Sequence, residues 1–176
     1  MLKSQDIVIL LKLLAHADHL NWSQHQLATH LCLSSSAINA SLSRLAKSGL
    51  LLLEGNRQRY ELVLPACEEL LISGVKYFFP AEWGEHTAGL PTSYAAPVFK
   101  AKITVGHDPI PVWSCAEGKQ RGLALEPLYH CVPSALLHYP DQAFYDLLAL
   151  VDAIRAGRAR ERTMAVQLLK ERLQHD

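Results

Sequence analysis

Between Ser34 and Gly49 the apolar residues Ile38, Leu42 and Leu45 recur at steps of four and three, which places them on one side of a helix. The opposite side then carries Ser35, Ser36, Asn39, Ala40 and Ser43. These are short uncharged hydrogen-bonding groups and one methyl. Such a face has the chemistry to address base edges in a DNA groove: Asn bonds adenine through a donor and an acceptor at once, and serine hydroxyls suit bases or phosphates. Nothing on it repels a phosphate. The plainer interpretation is a solvated polar face on an ordinary three-helix bundle. Against that, serine is a poor helix former and needs another reason to be there. Ser34 opens the helix, and Arg44 and Lys47 near its end are candidate phosphate contacts. Arg44 is equally suited to pair with Glu54 or Glu61. Further on, Asn56, Arg57, Gln58 and Arg59 form a second basic point. Arginines in such a turn suit the negative potential of a minor groove or a phosphate backbone.

The elements that must position these residues are legible around them. Ser4 reads as an N-cap, and Ile7, Leu10, Leu11 and Leu14 follow at helical spacing, predicting a helix over roughly 4–16. Ser23 with Gln26 three residues later fits a capping box, and Leu27, Ala28 and Leu31 give a second helix over about 23–31. His25 and His30 fall on its outer side, as weaker phosphate candidates. Cys32-Leu33 makes a tight connection and Ser34 caps the third helix. Gly49 fits the left-handed position past its end. Two strand-like runs follow, 50–54 and 59–64, joined by Gly55-Asn56-Arg57-Gln58.

This order, three helices with a tight turn and then a charged hairpin, resembles the winged helix-turn-helix of MarR-like transcriptional regulators over about residues 4–64. Leu27, Ala28, Leu31, Ser34, Ile38, Leu42, Arg44, Leu45, Gly49 and Leu50 match the family's pattern. Cys32 departs from it, where a small residue or Gly is common. The resemblance implies a dimeric repressor that binds double-stranded DNA, with helix 3 in the major groove and the hairpin as wing. It also implies dimerisation through terminal helices.

The 17 basic and 17 acidic residues cancel, yet their distribution is uneven. Residues 1–64 hold six cations against four anions, 65–153 five against ten, and 154–176 six against three. So weakly basic a module needs a second copy for useful affinity, because affinity follows the number of phosphates neutralised. The C-terminal region offers the candidate interface. Asp141 caps a helix striped by Phe144, Leu147, Leu148, Val151 and Ile154. Gly157 interrupts it, and Met164, Leu168, Leu169 and Leu173 stripe the next. Arg155, Arg158, Arg160 and Arg162 read as a solvated helix end, with Glu161 pairing among them, or as a contact to DNA or an acidic partner.

The expected fold is mainly α with a small β wing. Residues 1–74 form the winged helix-turn-helix, 75–140 a Pro/Gly/aromatic-rich segment of loops and strands, and 141–176 the C-terminal helices. Pro65 starts a short helix that stops near Gly74, and Val75–Phe79 reads as a strand. The middle segment suits dimer or partner contacts, with room for a small-molecule or protein effector. GxSxG, HExxH, GxxxxGK[ST] and GxGxxG do not occur, so neither an enzyme nor a cofactor is expected. His16 with His19, and Cys115, His130 and Cys131, are the nearest approach to a metal set, and none is expected to bind one. The four cysteines suit a reducing compartment as mostly buried thiols. With neither a signal peptide nor a membrane span, the cytoplasm is the expected location. The main alternative is a protein-interaction module on a winged-helix scaffold. A small hydrolase using the aromatic-rich middle ranks last.

Overall fold

The fold is a computed structural model describing residues 1–19, 22–55 and 59–174. It is mainly helical with small β elements. Helix α1 spans Ser4–Ala15, α2 Gln24–Leu31 and α3 Ser35–Lys47. An antiparallel hairpin follows, β1 Leu51–Glu54 with β2 Arg59–Leu62, in the register Leu51 to Leu62 and Glu54 to Arg59. The chain then turns helical from Leu64 to Phe78, as α4 Leu64–Glu69, a π turn Leu70–Gly74 and α5 Val75–Phe78.

The expected strand at Val75–Phe79 is therefore helix up to Phe78, and Gly74 does not stop it. Cys67, Leu71 and Val75 are fully buried at steps of four. That helical stripe prevails over the strand propensity of Val75, Tyr77 and Phe78. A second departure is at the first helix, where Lys3 rather than Ser4 is the cap. The Lys3 amide donates to Asp6 Oδ2 at 2.8 Å.

The Pro/Gly-rich middle is ordered around three strands, β3 Trp83–Pro91, β4 Pro111–Ser114 and β5 Gln120–Leu125. Strand β3 runs antiparallel to both others, and β4 runs parallel to β5, closing a small barrel. A Cβ on Gly122 would collide with the Ile110 carbonyl, so the closure requires glycine there. Helices α6 Val132–His138, α7 Gln142–Ala156 and α8 Ala159–Leu173 complete the chain.

Helix α7 is the centre of the molecule. Residues 146–155 are all buried, and α7 packs on α1, α5 and α8. One continuous core runs from Ile7 through Trp113 to Leu173. The stripe Phe144, Leu147, Leu148, Val151 and Ile154 is thus covered by this chain itself. It is not an open face for a second copy. Asp141 caps α7 as expected, its Oδ1 accepting from the Phe144 amide at 3.1 Å. Among the described residues no helix is long and apolar enough to cross a membrane.

A buried polar hub that the sequence did not announce ties the barrel to α7. Asp152, 1 % exposed, accepts from Thr92 Oγ1 at 2.7 Å, Trp113 Nε1 at 2.8 Å and Arg155 Nη1 at 2.7 Å. Arg155 also donates from Nε to the Phe79 carbonyl at 2.7 Å. Burial pushes the Asp152 carboxyl up, and Arg155, Thr92 and Trp113 oppose that shift. Burial likewise raises the thiols of Cys67 and Cys131 to about 12, which makes them inert packing groups. Cys32 is exposed and Cys115 half-buried.

Candidate nucleic-acid interface

Local capping fixes the helix pair that would carry the interface. Ser23 Oγ accepts from the Gln26 amide at 3.0 Å, and Gln26 Oε1 accepts from the Ser23 amide at 2.9 Å. The Ser23 and Gln26 amides at the start of α2 are thus satisfied reciprocally. The turn is made by Cys32 in the left-handed region, φ 55° and ψ 41°. Its amide bonds back to Thr29, and that of Leu33 to Ala28. Ser34 Oγ then accepts from the Ala37 amide at 3.1 Å, opening α3. At the far end Gly49 takes φ +76°, and the Leu50 amide returns to the Leu45 carbonyl at 3.1 Å.

Ile38, Leu42 and Leu45 are fully buried, as their spacing requires, and Ser41 joins them. On the other side Ser34, Ser35, Ser36 and Lys47 are exposed. Asn39, Ala40 and Ser43 are half-buried, and Asn39 Oδ1 takes a long bond of 3.5 Å from Gln24 Nε2 on α2. The exposed part of the face is therefore concentrated toward the start of α3.

Arg44 is not an outward phosphate contact, and its partner is neither Glu54 nor Glu61. Its Nε and Nη2 grip Asp6 Oδ2 and Oδ1 at 2.8 and 2.9 Å, and Nη2 also reaches Ser41 Oγ at 3.2 Å. Asp6 is fully buried in α1, so the pair fastens α3 to α1. The hydrogen bonds that Arg44 donates to Asp6 raise its pKa above its ordinary value.

In the hairpin, Leu51, Leu53, Tyr60 and Leu62 face inward, while Leu52, Glu54, Arg59 and Glu61 share the outer face and are exposed. Arg59 sits opposite Glu54. Asn56, Arg57 and Gln58 lie outside the described residues.

His25 is exposed, as expected. His30 is not on the outer side of α2. It stacks on Tyr139 with ring centroids 4.6 Å apart. His16 contacts Asp141 rather than joining a metal set. Among the described residues no group of three or more His, Cys, Asp or Glu is placed to hold a metal ion.

The C-terminal arginines separate. Arg155 belongs to the buried hub. Arg162 Nε donates to the Ile154 carbonyl at 3.0 Å, satisfying the end of α7. Arg158 lies 3.6 Å from Asp108 with both side chains exposed, and its amide donates to Glu161. Arg160 points to solvent. The helix-end interpretation fits Arg162 and Arg158. Neither interpretation anticipated that Arg155 is buried.

No protein-family model, curated protein or solved structure matches this chain.

A cluster of Lys12, His16, Trp22, His30, Tyr139 and Asp141, which joins α1, α2 and the α6–α7 junction, was also not foreseen. Lys12, 1 % exposed, donates to Asp141 Oδ2 at 2.6 Å and lies over the Phe144 ring at 4.9 Å. The available signal was a lysine at a position where the α1 apolar run admits no solvent-facing residue, Leu10-Leu11-Lys12-Leu13-Leu14.

Proposed function

We propose that this chain is a cytoplasmic double-stranded-DNA-binding regulator of the MarR-like winged helix-turn-helix kind, acting as a dimeric repressor. Helix α3 enters the major groove, and the hairpin lies along the backbone or minor groove. The observation that carries this reading is the capped pair α2–α3. Its turn at Cys32 and its exit at Gly49 leave Ser34, Ser35, Ser36 and Lys47 exposed along one edge, with a hairpin directly after. Ser35 and Ser36 then offer hydroxyls to bases or phosphates, Asn39 reads an adjacent base, and Lys47 neutralises a phosphate. Arg44 serves this surface indirectly, by holding α3 on α1. Arg57 and Arg59 supply the cations of the wing. The second copy contributes the second half-site. Because α7 is enclosed, its partner face lies elsewhere than on the α7 stripe.

A protein-interaction role has one observation in its favour. The outer hairpin face sets Leu52, 51 % exposed, beside Glu54 and Glu61, which suits a protein surface better than a phosphate backbone.

The test is a selection of genomic DNA fragments on the purified full chain. A recurrent motif is expected to be enriched, and Asn39→Ala is expected to relax preference at one position of it by roughly 1–3 kcal/mol. Recovery without any enriched sequence, together with stable capture of a defined protein partner, would favour the alternative.

A further inference from the structure

Where α1 and α2 meet the α6–α7 junction, one carboxylate serves two basic side chains at the end of α1. Asp141 Oδ2 takes Lys12 Nζ at 2.6 Å and His16 Nε2 at 2.5 Å. Trp22 stands edge-on to His16, with centroids 5.6 Å apart, and edge-on to His30, with centroids 5.0 Å apart. His30 stacks on Tyr139 at 4.6 Å with 24° between the rings. The imidazole of His30 is thus the bridge from α2 to the residue that ends α6. The titratable and charged groups facing it are Lys12 and His16 from α1, and Tyr139 and Asp141 from the junction.

We infer that His30 is a proton-sensitive latch. Neutral, it holds α2 against Tyr139; protonated, it loosens α2 from the α6–α7 junction. The reason is charge accounting in a half-dry site. Lys12 brings a buried ammonium, and Asp141, the one carboxylate among the described residues whose charge acts on His30, already serves Lys12 and His16. A proton on His30 adds a cation near Lys12 with no carboxylate of its own among the described residues, in a partly buried site where repulsion is weakly screened. Attraction of an imidazolium to the Tyr139 ring offsets part of that cost. Burial first, then Lys12, lowers the His30 pKa from its ordinary 6.5, with His16 adding to the shift and Asp141 opposing it. The folded state therefore favours the neutral ring. The stability it contributes is fully present above 6.5 and is lost as pH falls from there toward the folded value, levelling below it. Since α2 packs on α3 as well, the latch sits beneath the helix pair. It stands whether or not the chain binds DNA.

The experiment uses the full chain without DNA. The His30 imidazole resonances, assigned by their loss in His30→Phe, are titrated by NMR. A pKa below 6.5 is expected, and one at or above 6.5 overturns the inference. Melting temperatures are then compared from pH 8 to 5. The wild type is expected to lose a few degrees more than His30→Phe, because only the wild type carries the lowered imidazole. Parallel curves overturn the inference. Hydrogen exchange corrected for intrinsic rates separates a latch from a merely shifted histidine. Amides of Leu27–Leu31 are expected to open several-fold more often at pH 5.5 than at 7.5 in the wild type, and unchanged protection there contradicts a latch. If His30→Phe does not fold, the wild-type titration, assigned through-bond, and the wild-type exchange still decide.

Discussion

Arg44 and Asp6, thirty-eight residues apart, form a two-point clamp, with Nε on Oδ2 at 2.8 Å and Nη2 on Oδ1 at 2.9 Å. Asp6 is fully buried and Arg44 has a fifth of its side chain exposed. One end of the clamp also closes the first turn of α1, because Asp6 accepts the Lys3 amide. The orientation of α3 on α1 therefore depends on a charge pair, in addition to the apolar contacts of Ile38, Leu42 and Leu45.

Arg44→Ala leaves the Asp6 carboxylate buried without its cation. The expected loss is about 3 kcal/mol of unfolding free energy, read by urea denaturation. The double variant Asp6→Ala, Arg44→Ala is expected to lose less in total than the sum of the two single changes, since the stranded charge is gone. Additive losses would show that the clamp carries no coupling.

Much of the helix pair was legible because capping is local. Ser23 with Gln26, Ser34, Gly49 and Asp141 each act within a few residues of their own position, so the sequence displays cause and effect side by side. The pairing of β1 with β2 was legible for the same reason, from two strand-like runs set close together in the chain. What was hidden is what joins distant segments. Arg44 offered Glu54 and Glu61 as neighbours, but its partner came from the first helix. His30 looked outward on a helical wheel, yet α6 ends against that side of α2 and covers it. Val75–Phe79 has strand propensity, and only the burial of Cys67, Leu71 and Val75 along one stripe decides for helix. The α7 stripe was correctly apolar, but periodicity cannot say whether a helix face meets its own chain or another.

Cys32 holds the left-handed conformation at φ 55° that the turn between α2 and α3 requires. A side chain there costs about 1 kcal/mol relative to glycine. Cys32→Gly is therefore expected to be neutral or to raise stability by up to about 1 kcal/mol, despite the added freedom of the unfolded chain. Its thiol is exposed, so little packing is lost. A clear drop in melting temperature would mean that the Cys32 side chain makes a contribution beyond this geometry.

Asp152→Ala strands three donors at once: the Trp113 indole, the Thr92 hydroxyl and the Arg155 guanidinium. A loss of about 4 kcal/mol is expected, with a change in tryptophan fluorescence as Trp113 loses its partner. Trp113→Phe removes a single donor and is expected to cost about 2 kcal/mol. Equal losses for the two would show that Asp152 is not the hub.

Binding of duplex DNA through α3 and the hairpin, as we propose, makes a quantitative demand on salt dependence. Its most direct measurement is fluorescence anisotropy of the full chain on its selected duplex across a salt series. Wild type is compared with the paired variant Arg57→Ala, Arg59→Ala. A Kd that weakens steeply with salt is expected, with a log–log slope reduced by about 2 in magnitude per copy in the variant. Absence of salt-dependent duplex binding, or an identical slope in the variant, would contradict it.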